Sequence, residues 1–331
     1  MTGKTIVYLP NWLGDMVMAV PFLHALRQHS TDEIWAVGKA GAIHLYNGLD
    51  LFDRFVAING KGLSLFFETA NRLKKVGFSR AIALPHSFRS ALFFYNLRVP
   101  EIIGYARNKR GFMLNVKVDE HRGLEPTSEH YLRIMDVLGI PRSIEAPVLA
   151  VTADEEKKFD QEFADLAKPY GIMIVGAQYG PSKCWPAGYF SELADMVIDR
   201  HGMNVYMLPG GNEADLAAKI YGEIRCKEHA GIKSMNLRDM KVCLARAAFV
   251  VSNDTGPRHI SAALRVPTIV LAGPMDERYT SYPGTSTYVV SKNMACRPCN
   301  KKKCDGNHEC MTGIKPQEIT QLLGDILDKT V

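Results

Sequence analysis

Short apolar runs alternate with stretches of helical spacing along nearly the whole chain. TIVYLP, EIWAVG, RFVAI and RAIALP read as buried strands, and helical spacing runs from Met16 to His29 and from Leu63 to Val76. After a charged helical stretch, Asp154 to Ala167, the pattern restarts with YGIMIVGAQYG. A helix from Pro186 to Arg200 follows, then the strand NVYMLPGG, a helix from Glu213 to Arg225, and the strands AAFVVSNDTG and VPTIVLAGP. A last helix is predicted from Pro316 to Lys329, with proline in its first turn. Strand–helix alternation of this kind demands parallel sheets with crossover helices. Two α/β units of similar size are therefore expected, with the boundary near residue 165.

The 331 residues agree with two domains, and 47% hydrophobic with 23% charged residues is ordinary for a globular chain. That composition excludes disorder, collagen and a coiled coil. No apolar run approaches the roughly 18 residues of a membrane span. The start, MTGKTIVYLPNWLGD, lacks the basic and apolar regions of a signal peptide, so a cytoplasmic location is expected. The net charge of +5 is too mild to argue for a nucleic-acid partner. Its distribution says more. Between Arg80 and Lys117 stand Arg80, Arg89, Arg98, Arg107, Lys109, Arg110 and Lys117 against the single acid Glu101. This window is either a solvated face or a site for an acidic partner.

In open parallel sheets, ligands bind beyond the carboxyl ends of strands, so the loops after strands carry the candidate chemistry. No G-x-G-x-x-G follows the first strand, which disfavours an ordinary dinucleotide site. SNDTGPRH ends one strand and opens a helix, placing Asp254, Thr255 and Gly256 where outward backbone N–H groups suit a diphosphate. A plain N-cap explains the same residues. In AQYGPSKCWP, Lys183 sits above a strand end, where it suits a leaving phosphate. In PNWLGDMVM, Gly14 and Asp15 join the first strand to the first helix. Asp15 is either a first-turn acid favoured by the helix dipole or a carboxylate base.

These loops together resemble glycosyltransferase family 9, the bacterial heptosyltransferases. WLGDMVMAVPFLHALR looks like the family's N-terminal motif, and ALPHSFRSALFFY resembles the acceptor-side segment of its lipopolysaccharide heptosyltransferase II type. YGPSKCWPAGYFSELAD and VVSNDTGPRHISAALRVPTIVLAGP look like its donor motifs. The resemblance implies a GT-B fold: two Rossmann-like domains with parallel sheets facing a central cleft. Residues 1–165 would bind the acceptor, 166–315 the nucleotide-sugar donor, and 316–331 would form a helix crossing back to the first domain. It implies an inverting transfer of heptose from ADP-glycero-manno-heptose to the inner core of lipopolysaccharide, at most in peripheral contact with the inner membrane. Asp15 then matches the catalytic base and Lys183 the lysine near the diphosphate. Asp254, Thr255, Gly256 and His259 match the donor loop, with Gly14 placed beside the donor and Glu213 reaching the nucleoside. Arg258 fills a place where relatives often carry smaller residues; it either contacts the diphosphate or points to solvent. Kdo-containing acceptors carry carboxylates, which makes Arg89, Arg107 and Arg110 acceptor candidates, with His86 and Ser87 beside them. A family member with another donor or acceptor, and a non-catalytic nucleotide-sugar-binding protein, are the alternatives.

No metal is required for catalysis if cations and a helix terminus neutralise the diphosphate. Cys296, Cys299, Cys304 and Cys310 are spaced much as in small zinc knuckles. A structural zinc, free thiols and, least of all, disulfides are the readings. Trp12 and Trp185 flank two of the loops as core or as contacts.

Overall fold

The computed structural model describes residues 3–58, 62–143, 145–282 and 284–329. It forms two compact units: Met1–Ala150 with Arg278–Pro283, and Val151–Glu277 with Gly284–Val331. The first unit carries β1 (Lys4–Tyr8), β2 (Glu33–Gly38), β3 (Arg54–Ala57), β4 (Arg80–Ala83), β5 (Glu101–Tyr105) and β6 (Val116–Val118) in the order β3-β2-β1-β4-β5-β6. The second carries β7 (Tyr170–Ile174), β8 (Asn204–Met207), β9 (Ala230–Ile232), β10 (Phe249–Asn253), β11 (Thr268–Ala272) and β12 (Thr287–Ser291) in the order β12-β11-β10-β7-β8-β9. All pairings are parallel.

Counted within each unit, both sheets run 3-2-1-4-5-6, the doubly wound order. The central strands are buried on both faces, as β7 and β10 show along their whole length. That explains why they read as continuous rather than alternating apolar runs. In such an order the direction of winding reverses between the first and fourth strands. The loops leaving β1 and β4, and those leaving β7 and β10, therefore border a crevice in each unit.

Three expectations are corrected. The helix predicted from Met16 to His29 is two, Leu13–Met18 and Val20–His29, broken at Ala19 because Pro21 starts a new first turn. The boundary lies at 150/151, not 165. A capping box of Thr152 and Glu155 starts the helix Ala153–Glu162, which packs in the second unit against Leu237–Ala245. There Glu155 Oε2 lies 3.0 Å from Lys241 Nζ, with both side chains sealed from solvent. The last helix, Pro316–Leu327, falls within the second unit, where Ile319, Leu323 and Ile326 pack into that unit's core beside the helix Ala187–His201. Among the described residues no helix is long and apolar enough to cross a membrane.

Removing one partner of a buried ion pair strands the other charge. Glu155→Ala should lower the stability of the second unit by about 3–5 kcal/mol in urea denaturation. Thr152→Ala, which removes only the cap, should cost about 1 kcal/mol. Equal losses would show that the ion pair contributes nothing beyond the cap.

Candidate active site

In the second unit, β7 leads through residues 175–180 into a short turn, Pro181–Lys183. The cysteine-rich segment holds this turn. Ser182 Oγ donates to the Lys301 carbonyl at 2.6 Å, Tyr179 Oη to the Asn300 carbonyl at 2.7 Å, and His308 Nε2 meets the Ser182 carbonyl at 2.6 Å. A Cβ at Gly180 would stand 2.5 Å from the Lys302 carbonyl oxygen, so glycine is needed for this approach. Asn253, at the end of β10, fastens the loop from the other side. It donates to the Val175 carbonyl at 2.8 Å and accepts from the Trp185 N–H at 3.0 Å. Trp185 is core: it is fully buried, and its indole donates to the Ile314 carbonyl.

Held this way, Lys183 Nζ lies 2.8 Å from Asp254 Oδ2 and 2.9 Å from the Asp254 carbonyl oxygen. Arg258 Nε donates to Asp254 Oδ1 at 2.9 Å. Burial pushes the Asp254 carboxyl upward, but Arg258 and Lys183 outweigh it and hold the group well below the usual carboxylate range. Asp254 is thus a fixed anion that positions two cations. Arg258 points neither to solvent nor freely outward; it is buried. Burial, then the Arg258 charge, keeps His259 neutral, its affinity for protons well below the ordinary imidazole value.

The plain N-cap reading fails on geometry. Thr255 occupies the N-cap of the helix Gly256–Ala263, but no side chain makes a capping hydrogen bond, and Thr255 Oγ1 is buried without a partner. A helix start uncapped by its own side chain, beside Lys183, leaves N–H donors for an anion. Glu213 joins this region. Its carboxylate accepts from the Gly210 N–H at 2.7 Å and occupies the space over Gly176 where a Cβ would sit.

In the first unit, the loops leaving β1 and β4 border a cavity of about 450 Å³ lined by Asn11, Trp12, Asp15, Pro85, His86, Ser87 and Arg107. His121, Glu125, Thr127, His130, Tyr131 and Tyr279 also stand in the wall. Gly14 is buried in the first helical turn beside Asp15. Burial alone pushes the Asp15 carboxyl up to about 6. The contrast with Asp254 is one of partners: among the described residues Asp15 has no ion pair, whereas Asp254 has two.

Along the cavity wall runs a chain of polar contacts. Arg107 Nη1 lies 3.4 Å from His86 Nδ1, His86 Nε2 lies 2.9 Å from His130 Nε2, and His130 Nδ1 lies 3.3 Å from Glu125 Oε2. With both rings neutral, each donor in this chain meets an acceptor: Arg107 to His86, His86 to His130, His130 to Glu125. Burial and then the His130 and arginine charges push His86 down to about 4, in keeping with a neutral ring. His130 stacks on Tyr105 at 3.9 Å. Arg107 also pairs with Glu120.

Two acceptor candidates are corrected. Arg110 is fully buried. It donates from Nε to the Tyr105 carbonyl at 2.8 Å and from Nη1 to the Pro85 and Ser87 carbonyls and, at 3.0 Å, to Ser90 Oγ. It braces the β4 loop and offers no fork to a ligand; burial lowers it to about 10. Arg89 sits over the Phe66 ring at 4.9 Å and does not line the cavity. Ser87 lines the cavity but also caps the helix Phe88–Leu97 by accepting from the Ser90 N–H. Sequence reading missed Glu125, His130, Tyr131 and Tyr279; the run EPTSEHYL, rich in polar and aromatic residues at a helix start, was the available signal. All seven cysteines are free thiols, and among the described residues no group of three or more His, Cys, Asp or Glu is arranged to hold a metal ion. Cys310 is drawn into the apolar core while Cys296 stays exposed.

The model of glycosyltransferase family 9 (heptosyltransferase) matches residues 66–309. The chain belongs to glycosyltransferase family 9. This family 9 glycosyltransferase is 27% identical to lipooligosaccharide heptosyltransferase 2 of Campylobacter jejuni, over 98% of both chains. It is 24% identical to lipopolysaccharide heptosyltransferase 2 of Escherichia coli K12, again over 98% of both. The solved structure of E. coli ADP-heptose lipopolysaccharide heptosyltransferase II superposes with a TM-score of 0.86 at 22% identity, covering 99% of each chain. A family 9 structure from Veillonella parvula gives the same TM-score at 17% identity, covering 99% of this chain and 98% of its own. The glycosyltransferase therefore has the GT-B type of fold.

An Asp15 carboxyl raised by burial is directly observable. Carbon-detected NMR titration should give it a midpoint near 6, against about 3.9 for an ordinary aspartate, and the signal should vanish in Asp15→Asn. A midpoint at the ordinary value would remove the basis for its role as a base.

Proposed function

We propose that this glycosyltransferase moves heptose from ADP-glycero-manno-heptose to the inner core of lipopolysaccharide, with inversion at the anomeric carbon. The observation that carries the reading is the pairing of two unlike crevices. One has an uncapped helix start beside a clamped lysine, and the other a cavity with a carboxyl that no cation pairs. The names of the relatives, heptosyltransferase 2 in C. jejuni and E. coli, support this donor and acceptor.

Breaking the anomeric bond leaves positive charge on the sugar and negative charge on the departing ADP. Lys183 and the N–H groups at Gly256 receive the diphosphate, with Asp254 and Arg258 holding them in place. One such preorganised donor is worth roughly 10²–10³ in rate. Glu213 holds the nucleoside side of the donor. Asp15 takes the proton from the acceptor hydroxyl as oxygen attacks the anomeric carbon. A base with a pKa near 6 is ionised at neutral pH and still basic enough to accept that proton. Arg107 and the neutral His86–His130 pair face the acceptor, where an arginine suits a Kdo carboxylate. The enzyme works in the cytoplasm, where its nucleotide-sugar donor would be made. The set of acid, lysine and open helix start favours catalysis over mere nucleotide-sugar binding.

A donor screen with purified protein and a Kdo-heptose acceptor tests the reading. ADP release should occur with ADP-heptose and not with UDP or GDP sugars; preference for another sugar nucleotide would overturn the assignment. Asp15→Asn should cut turnover by about 10²–10⁴ while leaving ADP affinity intact. The kcat/KM of the parent enzyme should fall tenfold per pH unit below about 6 and level off above it, because only the deprotonated carboxylate accepts a proton. Arg107→Ala should raise the acceptor KM with little change in kcat; an unchanged KM would remove Arg107 from the acceptor site.

A further inference from the structure

The first unit carries three aromatic side chains that meet in solvent. Phe88 and Tyr95 lie seven residues apart on one face of the helix Phe88–Leu97, and Phe112 comes from the short turn Gly111–Met113. The Phe112 ring stands 6.3 Å from that of Phe88 and 6.4 Å from that of Tyr95. Their exposures are 72% for Phe112, 43% for Phe88 and 54% for Tyr95. Scattered exposed apolar side chains need no explanation, but three joined through Phe112 form a patch.

The surroundings of the patch are cationic. Lys109 is exposed three residues before Phe112. The Lys117 stem passes beside Gly111, 3.9 Å from where its Cβ would be. Arg98 is exposed at the end of the helix that carries Phe88 and Tyr95. None of these three has an ion-pair partner among the described residues, whereas Arg80 and Arg107 pair with Glu101 and Glu120. The patch is also rigid. The buried Arg110 joins the two segments that bear it, bonding the Ser87 carbonyl just before Phe88 from within the turn that leads to Phe112. Asn108 Nδ2 adds a second tie to the His86 carbonyl at 2.8 Å.

We propose that Phe88, Tyr95 and Phe112, ringed by Arg98, Lys109 and Lys117, dock the first unit on the surface of an anionic phospholipid bilayer. Aromatic rings favour the membrane–water interface, and basic residues beside them are drawn to anionic headgroups. A second copy of the chain fits worse. A two-fold contact through this patch would set Arg98, Lys109 and Lys117 against their own copies, and three rings fall short of the area a stable dimer needs. The patch adjoins the cavity, since Ser87 and Arg107 line it and Phe88 and Lys109 follow in the same loops. Docking rests on the aromatic and basic residues alone and does not depend on which sugar is transferred.

The test is flotation of the full chain with phosphatidylcholine vesicles, with and without phosphatidylglycerol. The chain should float with the anionic vesicles only and be released by salt. The triple variant Phe88→Ser, Tyr95→Ser, Phe112→Ser and the double variant Lys109→Glu, Lys117→Glu should each bind at least about tenfold more weakly. Unchanged far-ultraviolet circular dichroism and an unchanged thermal unfolding midpoint will show that the variants are folded. Equal flotation with both vesicle types, no flotation at all, or variants that float like the parent would each overturn the proposal. So would a parent dimer that the triple variant breaks. The donor screen uses a soluble acceptor and no vesicles, so its failure and the failure of docking are separate results.

Discussion

Parallel strands buried on both faces leave no room for polar chemistry along their length, and the architecture of this glycosyltransferase follows from that constraint. A charge placed mid-strand would lie in the core without water or partner. Functional groups are confined to the loops that leave the strands, and the 3-2-1-4-5-6 order selects which loops border a crevice. In the first unit these are the loops after β1 and β4, carrying Asp15 and His86. In the second they are those after β7 and β10, carrying Lys183 and Asp254–Gly256. One topology used twice yields two crevices, and the residues in the loops make them chemically different.

The difference is clearest in two aspartates. Asp254 is the more deeply enclosed, yet it stays ionised because Lys183 and Arg258 meet its two oxygens. Asp15 is partly enclosed without such partners, so desolvation wins and its proton affinity rises toward neutrality. The first arrangement makes a permanent scaffold for cations that suits a diphosphate. The second leaves a carboxyl that holds its proton more tightly than an ordinary aspartate. Neither behaviour belongs to aspartate as a residue type; each belongs to its set of neighbours.

Much of this was legible before any coordinates. Apolar runs marked the strands, and Gly14-Asp15, Lys183 and Asp254–Gly256 stood out because chemically costly residues followed strand ends. Arg110 shows where the reading stopped. In sequence it is one more member of a basic window, but Gly104 leaves room for its guanidinium, and the carbonyls of Tyr105, Pro85 and Ser87 take up its Nε and Nη1 donors. His130 and Glu125 escaped for the opposite reason: the run EPTSEHYL marks a helix start, but nothing local says that it will be carried to the wall of a cavity bordered by the loops after β1 and β4.

The sequence by itself determined the two α/β units, the parallel sheets and the loops in which chemistry can reside, because hydrophobic periodicity and turn residues act over short stretches of chain. Only the tertiary structure decided the unit boundary at 150/151 and the place of the last helix, since both depend on which distant apolar face each helix covers. It alone also separated the basic window into a buried brace, a cavity arginine, an arginine over the Phe66 ring, an ion pair with Glu101 and exposed cations. Charge state and accessibility are set by partners and burial, and those come from residues far apart in the chain.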